Sequence, residues 1–283
     1  MDSTGALTKA PWFWSFEMEY LHGFDKKEQD RLIHQAQFLE PFVYAGVDLK
    51  KVNRLLEVGC GVGAQSKILL KRFPKLKITG VDFSAAQLHV AAQYLKKPIK
   101  DGKVELLQQD AQALDLEHKK YDAAFLCWFL EHVPEPLKVL KRVYKHLKPG
   151  AQIILTEVFN QSLFMEPYSP NYLKYWFEFN ELQWGMKGHP FAGAQLGHLL
   201  KEAGFKSINV EFRPLHFDSR NPKQRSEFIE FFFQILLSAE TQLLDQKKVT
   251  SDQVTKMYKE VALAKKAKDS VFFYSFARAT AVR

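Results

Sequence analysis

The sequence predicts an α/β fold built on a largely parallel sheet, and three observations predict it. Strand and helix signals alternate from residue 54 to residue 159. One predicted strand, 121–127, is almost wholly apolar, as a strand covered on both faces must be. Acids stand at or near the ends of three consecutive strands (Glu57, Asp82 and Asp110), which marks one crevice along the carboxyl edge of the sheet. A chain of 283 residues suits one large domain, or one domain carrying an inserted cap.

The elements follow in order. A helix is predicted over 26–43, behind an aromatic cluster that includes Trp12, Trp14 and Tyr20. The first strand, 54–58, runs into a glycine-rich turn, and a helix over 64–73 stops at Pro74. A second strand, 77–81, ends at Asp82, and Ser84 is a suitable N-cap for a helix over about 85–96. Strands over 104–108 and 121–127 come next, then a helix over 136–147 that stops at Lys148-Pro149-Gly150, then a strand over 151–159. Residues 160–192 are aromatic, with no clear strand. The pattern resumes with a helix over 193–203 and a strand over 207–217. A helical block over about 222–268 precedes a last strand, 271–282, which makes seven strands in all. The expected organisation is an N-terminal arm and cap helix (1–50), a ligand-binding core (51–159), an aromatic lid (160–192) and the remainder of the core with its helical insertion (193–283).

Composition narrows the class. Apolar residues at 46% and charged residues at 25% are those of a globular chain, and exclude disordered and fibrous classes. The 40 basic and 32 acidic residues leave a net charge of +8, which tolerates an acidic partner without requiring one. The lysine pairs Lys96-Lys97, Lys119-Lys120 and Lys265-Lys266 are short and scattered, so a solvated surface is expected rather than nucleic-acid binding. Two cysteines build no disulfide framework, no run reaches the ~20 apolar residues of a membrane span, and no secretory pattern is read at the start. A cytoplasmic monomer or homodimer is the expectation.

The loop Glu57-Val58-Gly59-Cys60-Gly61-Val62-Gly63 lies between a strand and a helix, where glycines permit a tight turn and close approach of a ligand to the backbone. The dinucleotide fingerprint requires a glycine three residues after the second one, and that position is Ala64. Glu57 before the loop would repel a pyrophosphate but suits a ligand with an amino-acid head. A bare strand-to-helix turn is the alternative.

Residues 52–160, through LLEVGCGVG, GVDFS, QQDAQAL, YDAAFLCWFLEHV and LKPGAQIILTE, resemble the class I S-adenosylmethionine-dependent methyltransferases, with their Rossmann-like seven-stranded sheet. The resemblance implies S-adenosylmethionine as cofactor and S-adenosylhomocysteine as product. It implies that Gly59, Gly61 and Gly63 pass near the methionine part, and that Glu57 orients the loop or meets the ammonium through water. Asp82 would bind the ribose hydroxyls and Phe83 would flank the adenine. Asp110 and Ala111 would meet the adenine amino group and ring, and Cys127 and Trp128 would line the cofactor near the methyl. Tyr20-Leu21-His22-Gly23, Glu28, Arg31-Leu32, Gln35-Ala36 and the run from Gly188 to Gly193 resemble a capped, ubiquinone-biosynthesis-like subgroup that includes gliotoxin-type thiol methyltransferases.

Methyl transfer requires alignment of a nucleophile with the methyl carbon and exclusion of water, and no metal. No metal-ligand spacing is present in the sequence. The polar-Pro-Pro-aromatic turn of nucleobase amino methylation is absent after residue 126, and Leu126 rather than proline precedes Cys127, so that cysteine reads as a small apolar strand residue. His132 can take a proton from an acceptor, or simply start a helix. His22 and Tyr20 can close over the methionine end, or pack as part of an aromatic arm. The arm over 12–23 is expected to close on ligand binding. Tyr172, Tyr175, Trp176 and Phe179 recur at helical spacing, and Tyr172, Trp176 and Trp184 are the expected substrate-facing rings. The function expected is methyl transfer to O, N or S of a small molecule. The alternatives are a protein or RNA methyltransferase, or a cofactor-binding scaffold without turnover.

Overall fold

The computed structural model describes residues 26–117 and 120–283. The first helix, α1 (Lys26–Val43), leads to β1 (Arg54–Val58), α2 (Ala64–Arg72), β2 (Lys77–Asp82), α3 (Ala85–Tyr94), α4 (Lys96–Lys100), β3 (Val104–Gln108) and β4 (Tyr121–Cys127). Then follow α5 (Pro136–His146), β5 (Leu147–Val158), β6 (Phe164–Glu166), α6 (Pro170–Gly185), α7 (Ala192–Glu202), β7 (Lys206–Phe217), α8 (Pro222–Leu237), α9 (Glu240–Asp245), α10 (Ser251–Lys266) and β8 (Val271–Val282).

All seven expected strands form, and β6 is an eighth that its three residues were too few to announce. The expected helical block over 222–268 is three helices, because Thr250 restarts the chain with a capping box closed by Gln253. The sheet runs β3-β2-β1-β4-β5-β8, with its first five strands parallel and β8 antiparallel to β5. Strand β7 lies along the far side of β8, and β6 pairs with the start of β8 on the β5 side. The order reverses between β1 and β4, so the crevice for a ligand opens beyond Val58 and Cys127.

The two faces of the sheet are covered differently. Helices α5 and α7 pack Val139, Leu140, Val143, Leu196 and Leu200 against one face. The other face carries α1 and α2, and its core continues without a break into α6, α8 and α10. Burial of this kind stabilises by roughly 25 cal/mol per Å² of apolar surface.

Three polar clamps set the helices above the crevice. The buried Arg278 of β8 donates to the carbonyls of Phe42, Val43 and Ala45, satisfying the open C-terminal end of α1. Glu260 of α10 accepts from the backbone N–H of Asn171 and Tyr172 and so caps α6. Arg225 of α8 donates to the carbonyls of Ala267, Lys268 and Ser270 just beyond α10. Among the described residues, no helix is long and apolar enough to cross a membrane.

Candidate active site

A single cavity extends from the loop after β1 to the helices above β8. One end is made by Gly59, Cys60, Gly61 and Val62, by Asp82 and Phe83 after β2, and by Arg31, Leu32, Gln35 and Leu39 of α1. The other end is made by Trp176, Phe179 and Gln183 of α6, Phe231, Phe232 and Ile235 of α8, Leu215 of β7, and Tyr274 and Phe276 of β8. The turn after β4, from Cys127 through Trp128 and Phe129 to Glu131 and His132, joins the two ends.

The glycines of the loop serve different purposes. All three have positive φ (74°, 50° and 75° at Gly59, Gly61 and Gly63), which side chains rarely adopt. At Gly59 a Cβ would fall 2.1 Å from the Phe129 ring, and at Gly63 2.6 Å from Leu95, so the protein's own packing excludes a side chain there. At Gly61 a Cβ would meet nothing within 4 Å, and this is the glycine that leaves bare backbone facing open space. Of the three, Gly59 and Gly61 line the cavity and Gly63 does not.

Asp82 holds the loop to the end of β2. One carboxylate oxygen accepts from the Gly61 N–H at 2.8 Å and the other from the Ser84 N–H at 3.0 Å. Burial pushes its carboxyl above the usual range, although these hydrogen bonds pull the other way. Glu57 is wholly buried beneath the loop and outside the cavity lining. It accepts a hydrogen bond from the Ser66 hydroxyl of α2, and burial pushes its carboxyl up to about 7. Asp110 and Ala111 also lie outside the lining. Asp110 is exposed and accepts from the Gln112 N–H, and the two follow Gln109, whose N–H donates to the Asp82 carbonyl. On α1, Arg31 makes a two-pronged ion pair with Glu28, both contacts at 2.6 Å, and donates to Gln35.

The turn after β4 is strained and braced. Trp128 has φ +54°, costly for a residue with a side chain. Its N–H donates to the Thr156 carbonyl at 2.8 Å, and the next three N–H groups, of Phe129, Leu130 and Glu131, all donate to the Glu157 carboxylate. Burial and the neighbouring Glu131 push Glu157 up to about 8, against the pull of those three donors. His132 follows, its Nε2 3.6 Å from a Glu131 carboxylate oxygen. Cys127 and Cys60 line the cavity as free thiols, and burial raises both well above the ordinary thiol range. At neutral pH they stay protonated, which suits lining residues rather than nucleophiles.

Of the expected substrate-facing rings, Trp176 lines the cavity and Tyr172 and Trp184 do not. Tyr172 sits one helical turn before Trp176, is 1% exposed, and is packed in the core next to the Glu260 cap. Trp184 is 55% exposed and lies edge-on to His189. The residue that continues the stripe is Gln183, seven positions after Trp176 and so about two turns on, while Trp184 is swung about 100° round the helix. Tyr20 and His22, and the arm over 12–23, lie outside the described residues.

Several cavity residues had little sequence signal. Leu215, Tyr274 and Phe276 look like ordinary strand residues, and Asn160 looks like a loop residue. Asn160 is a buried hub: its amide donates to Asn180, its side-chain oxygen accepts from the Tyr274 hydroxyl, and its carbonyl accepts from the Trp176 indole. Glu157 was legible only as the end of the run LKPGAQIILTE.

Residues 56–155 match the sequence profile of a methyltransferase domain. The demethylmenaquinone methyltransferase of Lactococcus lactis is 28% identical over 190 residues, which are 61% of this chain and 75% of that one. The ubiquinone biosynthesis O-methyltransferase of Pseudomonas entomophila is 34% identical over 107 residues, 38% of this chain and 44% of that one. The chain thus spans three quarters of the first relative and under half of the second. Among solved structures, a Haemonchus contortus phosphoethanolamine N-methyltransferase in complex with phosphomonomethylethanolamine and S-adenosylhomocysteine superimposes with a TM-score of 0.57 at 19% identity. That likeness covers 94% of this chain and 60% of the other, and it is a likeness of fold.

Proposed function

We propose that this chain, whose residues 56–155 match a methyltransferase domain, uses S-adenosylmethionine and moves its methyl group to an O, N or S atom of a small, mostly apolar acceptor. The observation that carries the proposal is the continuity of the cavity. A loop and acid suited to the cofactor open directly onto a chamber lined by Trp176, Phe179, Phe231, Phe232 and Phe276.

The residues fit the cofactor. Bare backbone at Gly61 leaves room for it, the Asp82 carboxylate accepts hydrogen bonds from its ribose hydroxyls, and Phe83 offers an aromatic face beside them. Arg31, ion-paired with Glu28, brings guanidinium N–H donors to the end proposed for the methionine carboxylate. Glu57 stays beneath the loop and acts through Ser66. When bound, the cofactor supplies an electrophilic methyl on a positive sulfur. Around that position the chain presents aromatic rings and the strained Trp128 turn, which exclude water and hold an acceptor in line. An O–H, N–H or S–H acceptor loses a proton in the transfer, and His132, beside Glu131 in the lining, is the residue to which we assign it. The lining of the cavity by Arg31, Leu32 and Gln35 of α1 supports the reading as a capped, ubiquinone-biosynthesis-like enzyme.

The test is labelling. The purified protein is incubated with methyl-deuterated S-adenosylmethionine and a fractionated metabolite extract, and products are sought by mass. Deuteromethylated small molecules formed together with S-adenosylhomocysteine are the expected result. Binding of S-adenosylhomocysteine with no transfer to any fraction would favour a cofactor-binding scaffold instead.

A further inference from the structure

We infer that Gln183 determines which acceptor is taken: its side-chain oxygen accepts a hydrogen bond from an O–H or N–H of the small molecule. Glu131 is the positioning residue that holds the amide in that orientation. This inference rests on the reading above, in which the aromatic end of the cavity receives the acceptor.

The geometry is that of a fixed amide with one half satisfied. Gln183 is 3% exposed and lines the cavity. Its Nε2 donates to a Glu131 side-chain oxygen at 2.9 Å, so the NH2 side of the amide faces Glu131. The oxygen, Oε1, is therefore on the other side, and among the described residues no donor reaches it. Gln87, at the other end of the lining, also has an unpartnered side-chain oxygen, but the polar groups around Gln183 are matched. Asn160, also buried and in the lining, has its amide N–H, its side-chain oxygen and its carbonyl all matched by Asn180, Tyr274 and Trp176.

The backbone fixes both partners. The Gly188 N–H donates to the Gln183 carbonyl at 3.0 Å and the His189 N–H to the Glu131 carbonyl at 2.7 Å. A Cβ at Gly188 would lie 2.9 Å from both Gln183 Cγ and that Glu131 carbonyl, so this loop is pressed against the pair. An amide held at both its backbone and its NH2 group cannot turn to find another partner. A buried acceptor of this kind discriminates strongly. A small molecule with a donor satisfies it, and one that places a methyl ether there leaves it desolvated and unpaired, weakening binding by roughly 5- to 100-fold.

The probes are 2-naphthol, 2-naphthylamine and 2-methoxynaphthalene, titrated into the full chain saturated with S-adenosylhomocysteine. At least one of the two donor-bearing probes is expected to bind about tenfold or more tightly than the ether. Comparing those two shows whether a hydroxyl or an amine is preferred. Gln183→Met, similar in length, should erase the difference while S-adenosylhomocysteine affinity stays within about twofold. Glu131→Gln can still accept from the Gln183 amide and should keep the preference, whereas Glu131→Leu releases the amide and should lose it. If the Met variant does not fold, the Gln and Leu variants carry the test. Equal affinity for all three probes, no binding of any, or a preference that survives in Gln183→Met overturns the inference. Failure of the wild-type chain to bind S-adenosylhomocysteine would instead overturn the proposed function.

Discussion

The two ends of the cavity are built on different plans. The end assigned to the cofactor is mostly backbone and strand termini within about 30 consecutive residues, from the Gly59–Val62 turn through the start of α2 to the end of β2, to which α1 adds the side chains of Arg31, Leu32, Gln35 and Leu39. The acceptor end is side chains gathered from α6, α8, β7, β8 and the β4 turn, over 100 residues apart in the chain. The first plan fixes one ligand shape through the main chain. The second varies freely, because each ring can be exchanged without moving a strand.

The largest expected effect comes from the main-chain plan. Gly59→Ala forces a Cβ into the Phe129 ring at a positive φ, and should cost about 2–4 kcal/mol of stability in urea denaturation. Gly61→Ala has open space and should cost only about 1 kcal/mol, from its φ. Equal losses at the two would mean that packing does not distinguish the glycines.

At the acceptor end, His132→Ala should lower kcat on the order of 100-fold with the acceptor found by labelling, and leave S-adenosylhomocysteine affinity unchanged. An unchanged kcat would remove proton transfer from this end and leave alignment alone.

A smaller effect separates the two buried acids. Glu157, pushed up to about 8, and Glu57, to about 7, both lie above the ordinary value of about 4.3. The folded state therefore holds these protons to higher pH than the unfolded chain does. The stability this brings is complete below the unfolded value and is lost as pH rises through 7 and then 8. Urea midpoints should fall from pH 5 to pH 8. Glu157→Gln should make that fall shallower by up to about 1.4 kcal/mol per pH unit, the limit for one proton, and Glu57→Gln should act only up to about pH 7. A slope unaltered by either substitution would mean that the two acids ionise as they do in water.

The same division explains what could be read from the sequence. Gly59, Gly61 and Asp82 announce themselves because a positive φ and a strand-end acid demand particular residues at fixed spacing. The parallel sheet follows, since near-continuous apolar runs such as Tyr121–Cys127 fit a strand covered on both faces, whereas the order of the strands was not read. Gln183 was hidden because a polar residue in an aromatic helix looks like its solvent side, and only the 3.6-residue period taken from Trp176 places it inward. Tyr172 was misleading for the converse reason: it keeps the stripe but lies a turn beyond the cavity. Tyr274 and Phe276 gave no signal because strand rings serve core and cavity alike.

The most direct measurement is calorimetric titration of S-adenosylhomocysteine into the wild-type chain, Asp82→Ala and Trp176→Phe. If the ends are built as described, Asp82→Ala removes charge-assisted hydrogen bonds to the ribose, a loss of about 1.5–3 kcal/mol, or roughly tenfold to 100-fold in affinity. Trp176→Phe, at the other end, should leave it within about twofold. Unchanged binding in Asp82→Ala, or a loss in Trp176→Phe as large as that in Asp82→Ala, would contradict the assignment of the two ends.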